Sequence, residues 1–251
     1  MKFENIKYRS NKIQEDYCRY IVKLGFFASV RALKYHLNFL FPKINFKDKS
    51  VLDIGGGVGI YSFYAGCMGA KKVICLEPEL AGSSKGLRDI FNTIKSELGS
   101  RNVYFIPKTF QEYEGEDVFD IVILYDSINH LNEVACTKLK ESKIAEEHYI
   151  NIFRKLYKIT RVGSKVIICD CSDKNFFNLI GSKNVFAPSI EWGKHQSPQL
   201  WAKLLGDCGF KKEKIKWSSP NRWGTIGNRL MGNRFISYFT TSHFCLLMKR
   251  I

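Results

Sequence analysis

The chain of 251 residues contains no apolar run approaching the ~20 residues that a membrane-spanning helix requires. Its basic opening, MKFENIKYRSNK, leads into no apolar core of a signal peptide. Both absences set the expectation of a soluble, cytoplasmic protein with no membrane partner. Proline is scarce, 6 residues against 19 glycines, and 45% of the chain is apolar with 25% charged, which excludes disorder and collagen-like sequence. None of the 8 cysteines forms a CxxC pair, and none of the 5 histidines shows HxxxH or His/Cys zinc spacing. No structural metal is expected, and a reducing compartment is the simplest setting for the thiols. Cys169 and Cys171, two apart on an expected strand, share one face and should pack as small apolar groups.

Acidic residues are also few, 24 against 39 Lys and Arg, which leaves a formal charge of +15 and a pI near 9.4. Such a field attracts phosphates, nucleic acid or an acidic surface. A coding bias toward Lys, Asn, Ile and Phe gives the same charge without any partner. Between Lys203 and Arg234 stand eight basic and two acidic residues, with Trp217 and Trp223 among them. That stretch is either a polyanion-binding surface or a solvated face. Repeats and low-complexity linkers are absent, and a chain of this length buries roughly 70–75% of its unfolded surface without needing staples.

What is present is an alternation of strands and helices. Residues 13–41 read as helical, through Ile13, Tyr17, Tyr20, Ile21, Leu24, Val30, Leu33, Leu37 and Leu40, and Pro42 stops the run. Seven strand candidates follow at 50–54, 72–77, 102–106, 119–125, 165–169, 212–217 and 243–249. Helical periodicity lies between them at 61–68, 87–98, 143–161 and 198–206, the last opening on Pro198 with Gly209 beyond its end. FDIVILY, residues 119–125, has the uniform apolarity of a strand buried on both faces of a parallel sheet. Residues 171–197 read as irregular. The pattern predicts an α/β fold built from right-handed βαβ units, with ligands at the carboxyl ends of the strands.

The segment Val51-Leu52-Asp53-Ile54-Gly55-Gly56-Gly57-Val58-Gly59 carries the chemistry. Glycines let backbone approach a ligand and turn sharply from strand to helix. The dinucleotide fingerprint G-x-G-x-x-G needs glycine at position 60 or 62, where Ile60 and Ser62 stand. The order D-x-G-x-G-x-G resembles the first motif of class I S-adenosylmethionine-dependent methyltransferases. Glu77 ends the second strand, Thr109 and Phe110 follow the third, and Tyr125-Asp126-Ser127-Ile128-Asn129-His130-Leu131 follows the fourth, as in that family. PQLWAKLLGDCGF, residues 198–210, resembles its penultimate helix and strand. The likeness covers about residues 48–250.

The resemblance implies an enzyme with a Rossmann-like, doubly wound, mostly parallel seven-stranded sheet and S-adenosyl-L-methionine as cofactor. Residues 1–47 would form a helical cap and 171–197 a substrate lid on the methyltransferase domain, 48–251. Asp53 would face the ammonium of the methionine part, Gly55, Gly57 and Gly59 would bring backbone against the cofactor, Glu77 would accept the ribose hydroxyls, Thr109 and Phe110 would contact adenine, and Pro78 and Tyr125 would also bind the cofactor. The family's usual Asp after the third strand is missing, which leaves adenine to backbone, Thr109 or Phe110. For the acceptor, Tyr17 and Trp192 are candidate contacts, although both residue types serve equally as packing or surface groups. Asp170, at the end of the fifth strand, either steers a substrate or bonds backbone amides. A hydroxyl acceptor needs a base with a pKa near neutrality; His130 is the first candidate and His195 its rival.

Three functions compete on this reading. The first is methylation of a small-molecule hydroxyl on a metabolite, sugar or anionic conjugate. The second is methylation of tRNA, rRNA or protein through the 203–234 surface. Against that, there is no [DN]-P-P-[YF] after the fourth strand, no Pro-Cys pair for cytosine C5 chemistry and no added RNA-binding module. The third is a binding-only protein on a methyltransferase-like fold.

Overall fold

A computed structural model describes residues 2–79, 86–218 and 232–251, with side chains from residue 12 onward. Of the basic stretch, Arg222, Trp223 and Arg229 lie outside the described residues. The chain divides into two compact units, residues 1–109 and 110–251.

The first unit opens with two helices, α1 (Lys2–Lys23) and α2 (Val30–Leu40), where the periodicity predicted a single run. The break is local chemistry. Gly25 takes φ +83°, a conformation that ends helices at little cost for glycine. Ser29 then starts α2 by accepting the Ala32 amide on its hydroxyl. Next come β1 (Ser50–Ile54), α3 (Ile60–Cys67), β2 (Lys72–Leu76), α4 (Leu87–Glu97) and β3 (Val103–Ile106). Strand order is β3-β2-β1, all parallel, with Asp53 opposite Cys75 and Ile54 opposite Leu76. An aromatic cluster locks α3 to the N-terminal helices: Phe41 stacks on Tyr64 at 5.6 Å, Tyr17 lies 5.7 Å from Tyr64, and His36 Nε2 is 2.8 Å from the Tyr61 hydroxyl. On the other flank of α3, Phe63 packs on Phe91 of α4 at 4.6 Å. Residues 1–47 therefore pack as part of this unit.

The second unit contains β4 (Phe119–Tyr125), α5 (Glu133–Lys138), α6 (Lys143–Lys158), β5 (Thr160–Cys171), α7 (Phe176–Leu179), α8 (Pro198–Gly206), β6 (Phe210–Trp217), α9 (Arg234–Tyr238) and β7 (His243–Arg250). Strand order is β4-β5-β7-β6. β4 and β5 are parallel, and β7 runs antiparallel to both β5 and β6, so the seven strands of this α/β fold are mixed. The fifth strand is longer than its apolar run suggests because its start, Thr160, pairs with Phe119 across an irregular register. Cys169 pairs with Cys245 and is buried, as its strand position predicted, whereas Cys171 is partly exposed. Trp201 of α8 is fully buried against Tyr149 and Phe153 of α6, at 5.0 and 6.2 Å. Residues 171–197, read as irregular, hold α7 and a single tight turn, Trp192–Lys194. Among the described residues no helix is long and apolar enough to cross a membrane.

Candidate functional site

In the first unit, β1 runs straight into the glycine turn. The amides of Gly55 and Gly56 both donate to the Leu76 carbonyl, at 2.8 and 3.2 Å, which closes the turn over the end of β2. Gly55, Gly57 and Gly59 take φ of +70°, +55° and +81°. Two of the glycines are required by packing as well. A Cβ on Gly59 would stand 2.7 Å from the Phe91 ring, and one on Gly56 would stand 2.5 Å from Cys75 Sγ and 2.9 Å from Asp53 Oδ2. Gly57 differs, because a Cβ there would meet nothing within 4 Å. Its backbone therefore borders open space, the arrangement a ligand lying on main chain requires.

Asp53 sits on β1 with 1% of its surface exposed. Its Oδ2 accepts the Ser62 hydroxyl at 2.7 Å, while Oδ1 is buried with no hydrogen-bond partner among the described residues. Burial pushes its pKa up to about 7, against the pull of Ser62 and with the Glu77 charge adding to the rise. A buried carboxylate with an unused oxygen suits a cationic ligand group such as the ammonium of a methionine moiety. Glu77 is buried, and its Oε2 accepts the Gly57 amide at 2.9 Å, so the acid and the glycine turn form one fixed rim. Pro78 and Thr109 are partly exposed on the loops after β2 and β3. Ser62, which orients Asp53, was not singled out from the sequence; its position on the first turn of α3 was the available signal.

Tyr17, expected among the substrate contacts, is a packing residue instead. It is 1% exposed, and its hydroxyl donates to the Ile60 carbonyl at the start of α3. Its helical face, shared with the fully buried Ile21, is the one α1 turns inward.

In the second unit the candidate groups gather at the carboxyl ends of β4 and β5. Asp170 is 1% exposed; its Oδ1 accepts the Cys171 amide at 2.7 Å and lies 2.9 Å from His195 Nδ1. Oδ2 is buried without a partner among the described residues. Burial raises the Asp170 pKa while its contact with His195 draws it back. His195 is itself held on both sides. The Lys194 carbonyl accepts the Cys136 thiol at 3.3 Å, and the Gln196 amide donates to the Cys136 carbonyl at 2.7 Å. Of the two alternatives raised for Asp170 from the sequence, substrate steering or bonding of backbone amides, the Cys171 contact is the amide bond.

A second acid–histidine pair stands alongside. His243, opposite Cys171 on β7, places Nε2 3.5 Å from Asp126 Oδ1 and Nδ1 3.2 Å from the Ser218 hydroxyl. Burial opposes its charge, yet Asp126, with Asp170 behind it, holds its pKa above the ordinary value. Asp126 takes φ +48°, and Tyr125 lies 5.8 Å from the His243 ring. His243 was not picked from the sequence, because nothing in its local pattern marks it.

The remaining sequence candidates fall elsewhere. His130 is 53% exposed at its side chain and pairs with Glu133 at 2.6 Å on the first turn of α5. Phe110 is 2% exposed, with the Lys155 ammonium 5.5 Å from its ring centroid. Trp192 is partly exposed, and its indole N–H donates to the Ser182 carbonyl at 3.2 Å.

No protein-family model matches the chain. Among characterised proteins, the histone-arginine methyltransferase CARMER of Drosophila ananassae is 33% identical over 94 residues, 38% of this chain and 17% of that protein. The match thus spans less than a fifth of that relative's length. Among solved structures, a Listeria monocytogenes protein described as an S-adenosylmethionine-dependent methyltransferase aligns with a TM-score of 0.59 at 14% identity, over 87% of this chain and 99% of its own. The mitomycin 7-O-methyltransferase MmcR aligns with a TM-score of 0.55 at 13% identity, over 89% of this chain and 55% of its own. In fold, the chain is thus similar to solved Rossmann-like structures described as S-adenosylmethionine-dependent methyltransferases.

Proposed function

We propose that the chain is an enzyme that moves a methyl group from S-adenosyl-L-methionine to a hydroxyl of a small molecule. The observation that carries the cofactor reading is the buried, half-paired Asp53 beside a glycine turn with an open backbone face at Gly57. Asp53 takes the ammonium, Gly55 to Gly59 lie along the methionine and ribose, Glu77 accepts from the ribose hydroxyls, and Pro78 and Thr109 border the adenine. When bound, the cofactor would supply an electrophilic sulfonium methyl carbon, with the demethylated thioether as its leaving group.

The protein's tasks are positioning and removal of one proton. His195 is the base. Its Nδ1–H donates to Asp170, which fixes the tautomer and leaves Nε2 with a lone pair for the acceptor's proton. His130, favoured from the sequence, is assigned no such role, because an exposed pair with Glu133 neither fixes its ring inside a site nor excludes water. Hydroxyl transfer is supported further by the likeness in fold to an O-methyltransferase. The cap assigned to residues 1–47 and the lid assigned to 171–197 belong to this reading; within the lid, residues 194–196 carry and brace the base.

Methylation of RNA or protein is the weaker reading. Lys203, in the basic stretch, is neutralised by Glu146 at 3.0 Å and Asp207 at 3.3 Å. Calorimetry with S-adenosylhomocysteine tests the proposal. Binding weakened at least about thirtyfold by Glu77→Ala, with a single site, is expected. A chain that ignores this compound and binds a nicotinamide dinucleotide instead overturns it.

A further inference from the structure

A cavity of about 360 Å³ lies in the second unit beyond the end of β5. Its wall includes Lys174, Asn178, Gln199, Trp217, Arg234 and Tyr238. Two of its wall residues lie close in sequence to the Asp170–His195 pair. Ser172 on its wall follows Asp170 by two residues, and Gln199 stands on the first turn of α8, four residues after His195. A volume of this size suits a small ring compound rather than a polymer.

The cavity is a built site. Asn175, 1% exposed, donates to the Thr240 carbonyl at 2.7 Å and lies 2.8 Å from the Ser242 hydroxyl. Asn184, fully buried, donates to the same Thr240 carbonyl at 2.8 Å, and the Ser242 hydroxyl reaches the Lys174 carbonyl at 3.0 Å. These bonds clip the segment after β5 to the turn before β7 and fix the spacing of the two walls. Trp217 rests edge-on against the buried Phe244 at 6.2 Å, which sets its ring plane. Such side chains hold a ligand at little ordering cost.

Its charge is one-sided. Among the described residues Asp173 is the one carboxylate on the wall; its Oδ2 is neutralised by Lys140, and its Oδ1 is buried without a partner among them. No ion pair engages Lys174 or Arg234 among the described residues. From Lys214 to Ile251 the chain carries seven Lys or Arg and not one Asp or Glu, so the part of β6 after Glu213, with α9 and β7, brings only positive charge. The imidazole of His243 stands at the same edge of the sheet, two residues beyond Thr240–Thr241. Cations, two aromatic rings and one unpaired acceptor oxygen together select a hydroxylated ring that bears an anion.

We infer that this cavity is the acceptor site and that the acceptor is a small ring compound carrying a carboxylate or phosphate, its anion on Arg234 and Lys174 and its ring against Trp217 and Tyr238. The inference rests on the methyl-transfer reading for the word acceptor, while the cavity's preference for an anionic ring stands by itself. The probe is 8-anilinonaphthalene-1-sulfonate, an anionic aromatic, read by fluorescence against its uncharged counterpart N-phenyl-1-naphthylamine. Arg234→Gln and Lys174→Gln should each weaken the sulfonate about five- to tenfold and leave the neutral probe within about twofold. Trp217→Leu should weaken both probes. The S-adenosylhomocysteine affinity of Arg234→Gln and its melting temperature, both unchanged, show that the fold is intact. Equal loss of both probes in Arg234→Gln, or no loss of the sulfonate, overturns the inference. If the charge discrimination holds while S-adenosylhomocysteine fails to bind the parent protein, the cofactor reading fails and the anion site survives.

Discussion

Asp53 offers the sharpest test, because its burial ties cofactor affinity to pH. In the ligand-free protein its pKa is pushed up to about 7 from an ordinary 3.8, chiefly by loss of solvent. An ammonium bound at the unpaired Oδ1 favours the ionised form, so binding below pH 7 must first remove a proton from the carboxyl. The affinity for S-adenosylhomocysteine should then be flat above pH 8 and fall about tenfold per pH unit below 7, roughly elevenfold at pH 6. Calorimetry at pH 6 in buffers of different ionisation enthalpy should report close to one proton released per cofactor bound. The same group should cost stability in the unliganded state. A carboxyl whose folded pKa is raised contributes stability that is fully present below its unfolded value and is lost as pH rises through the folded one, here between about 4 and 7. Asp53→Asn removes that loss. At pH 8 the variant should be more stable than the parent by about 2 kcal/mol, the full difference of about 4 kcal/mol at ~1.4 kcal/mol per tenfold being reduced by local relaxation. It should bind the cofactor less tightly, with no dependence on pH. An affinity that stays level from pH 5.5 to 8 with no proton release refutes the assignment of Asp53.

Four further outcomes follow from the geometry. Asp170→Asn, which presents the wrong partner to His195 Nδ1, and His195→Gln should each lower kcat about 10²- to 10³-fold with cofactor affinity unchanged, and His130→Ala should change kcat less than about threefold; a reversed order, read by steady-state kinetics on the identified acceptor, would move the base to His130. Gly59→Ala should destabilise the fold by about 2–4 kcal/mol in denaturant titration, since its Cβ would press the Phe91 ring at 2.7 Å at a φ of +81°. Gly57→Ala meets no atom, so it should cost only about 1 kcal/mol of stability while weakening S-adenosylhomocysteine at least about tenfold. His243, held above its ordinary pKa despite burial, contributes stability that is complete below about 6.5 and lost as pH rises through its folded value; His243→Gln should abolish that part of the pH profile in thermal melts from pH 5.5 to 8.5.

Much of the fold is legible in sequence because its signals are local. FDIVILY needs no partner to be read as a buried strand, and β4 occupies those residues, Phe119–Tyr125. Pro198 and Gly209 bracket α8 by backbone chemistry alone. The division of residues 13–41 was also local, since Gly25 and Ser29 are a stop and a start four residues apart; the apolar spacing, which continues through both helices, masked them. The direction of β7 was harder to read. HFCLLMKR alternates no differently in a parallel or an antiparallel strand, and only its pairing with both β5 and β6 decides.

The two halves of the chemistry differ in the same way. The glycine turn is visible because Asp53, Gly55, Gly57 and Gly59 must fall within one short segment for one strand to end, turn and start a helix around a ligand. The proposed base is not, because its parts come from separate elements. Asp170 ends a strand, and His195 arrives 25 residues later on a segment fixed by Cys136, another 59 residues back along the chain. A histidine becomes a base when burial excludes water and a carboxylate fixes its tautomer, and neither condition leaves a mark at the histidine's own position. His130 stands where a motif would put it but keeps half its surface in solvent, whereas His195 stands in an irregular stretch with a buried acid at 2.9 Å. Geometry therefore outranks position in choosing between them, and the contrast between His195→Gln and His130→Ala measures that choice directly.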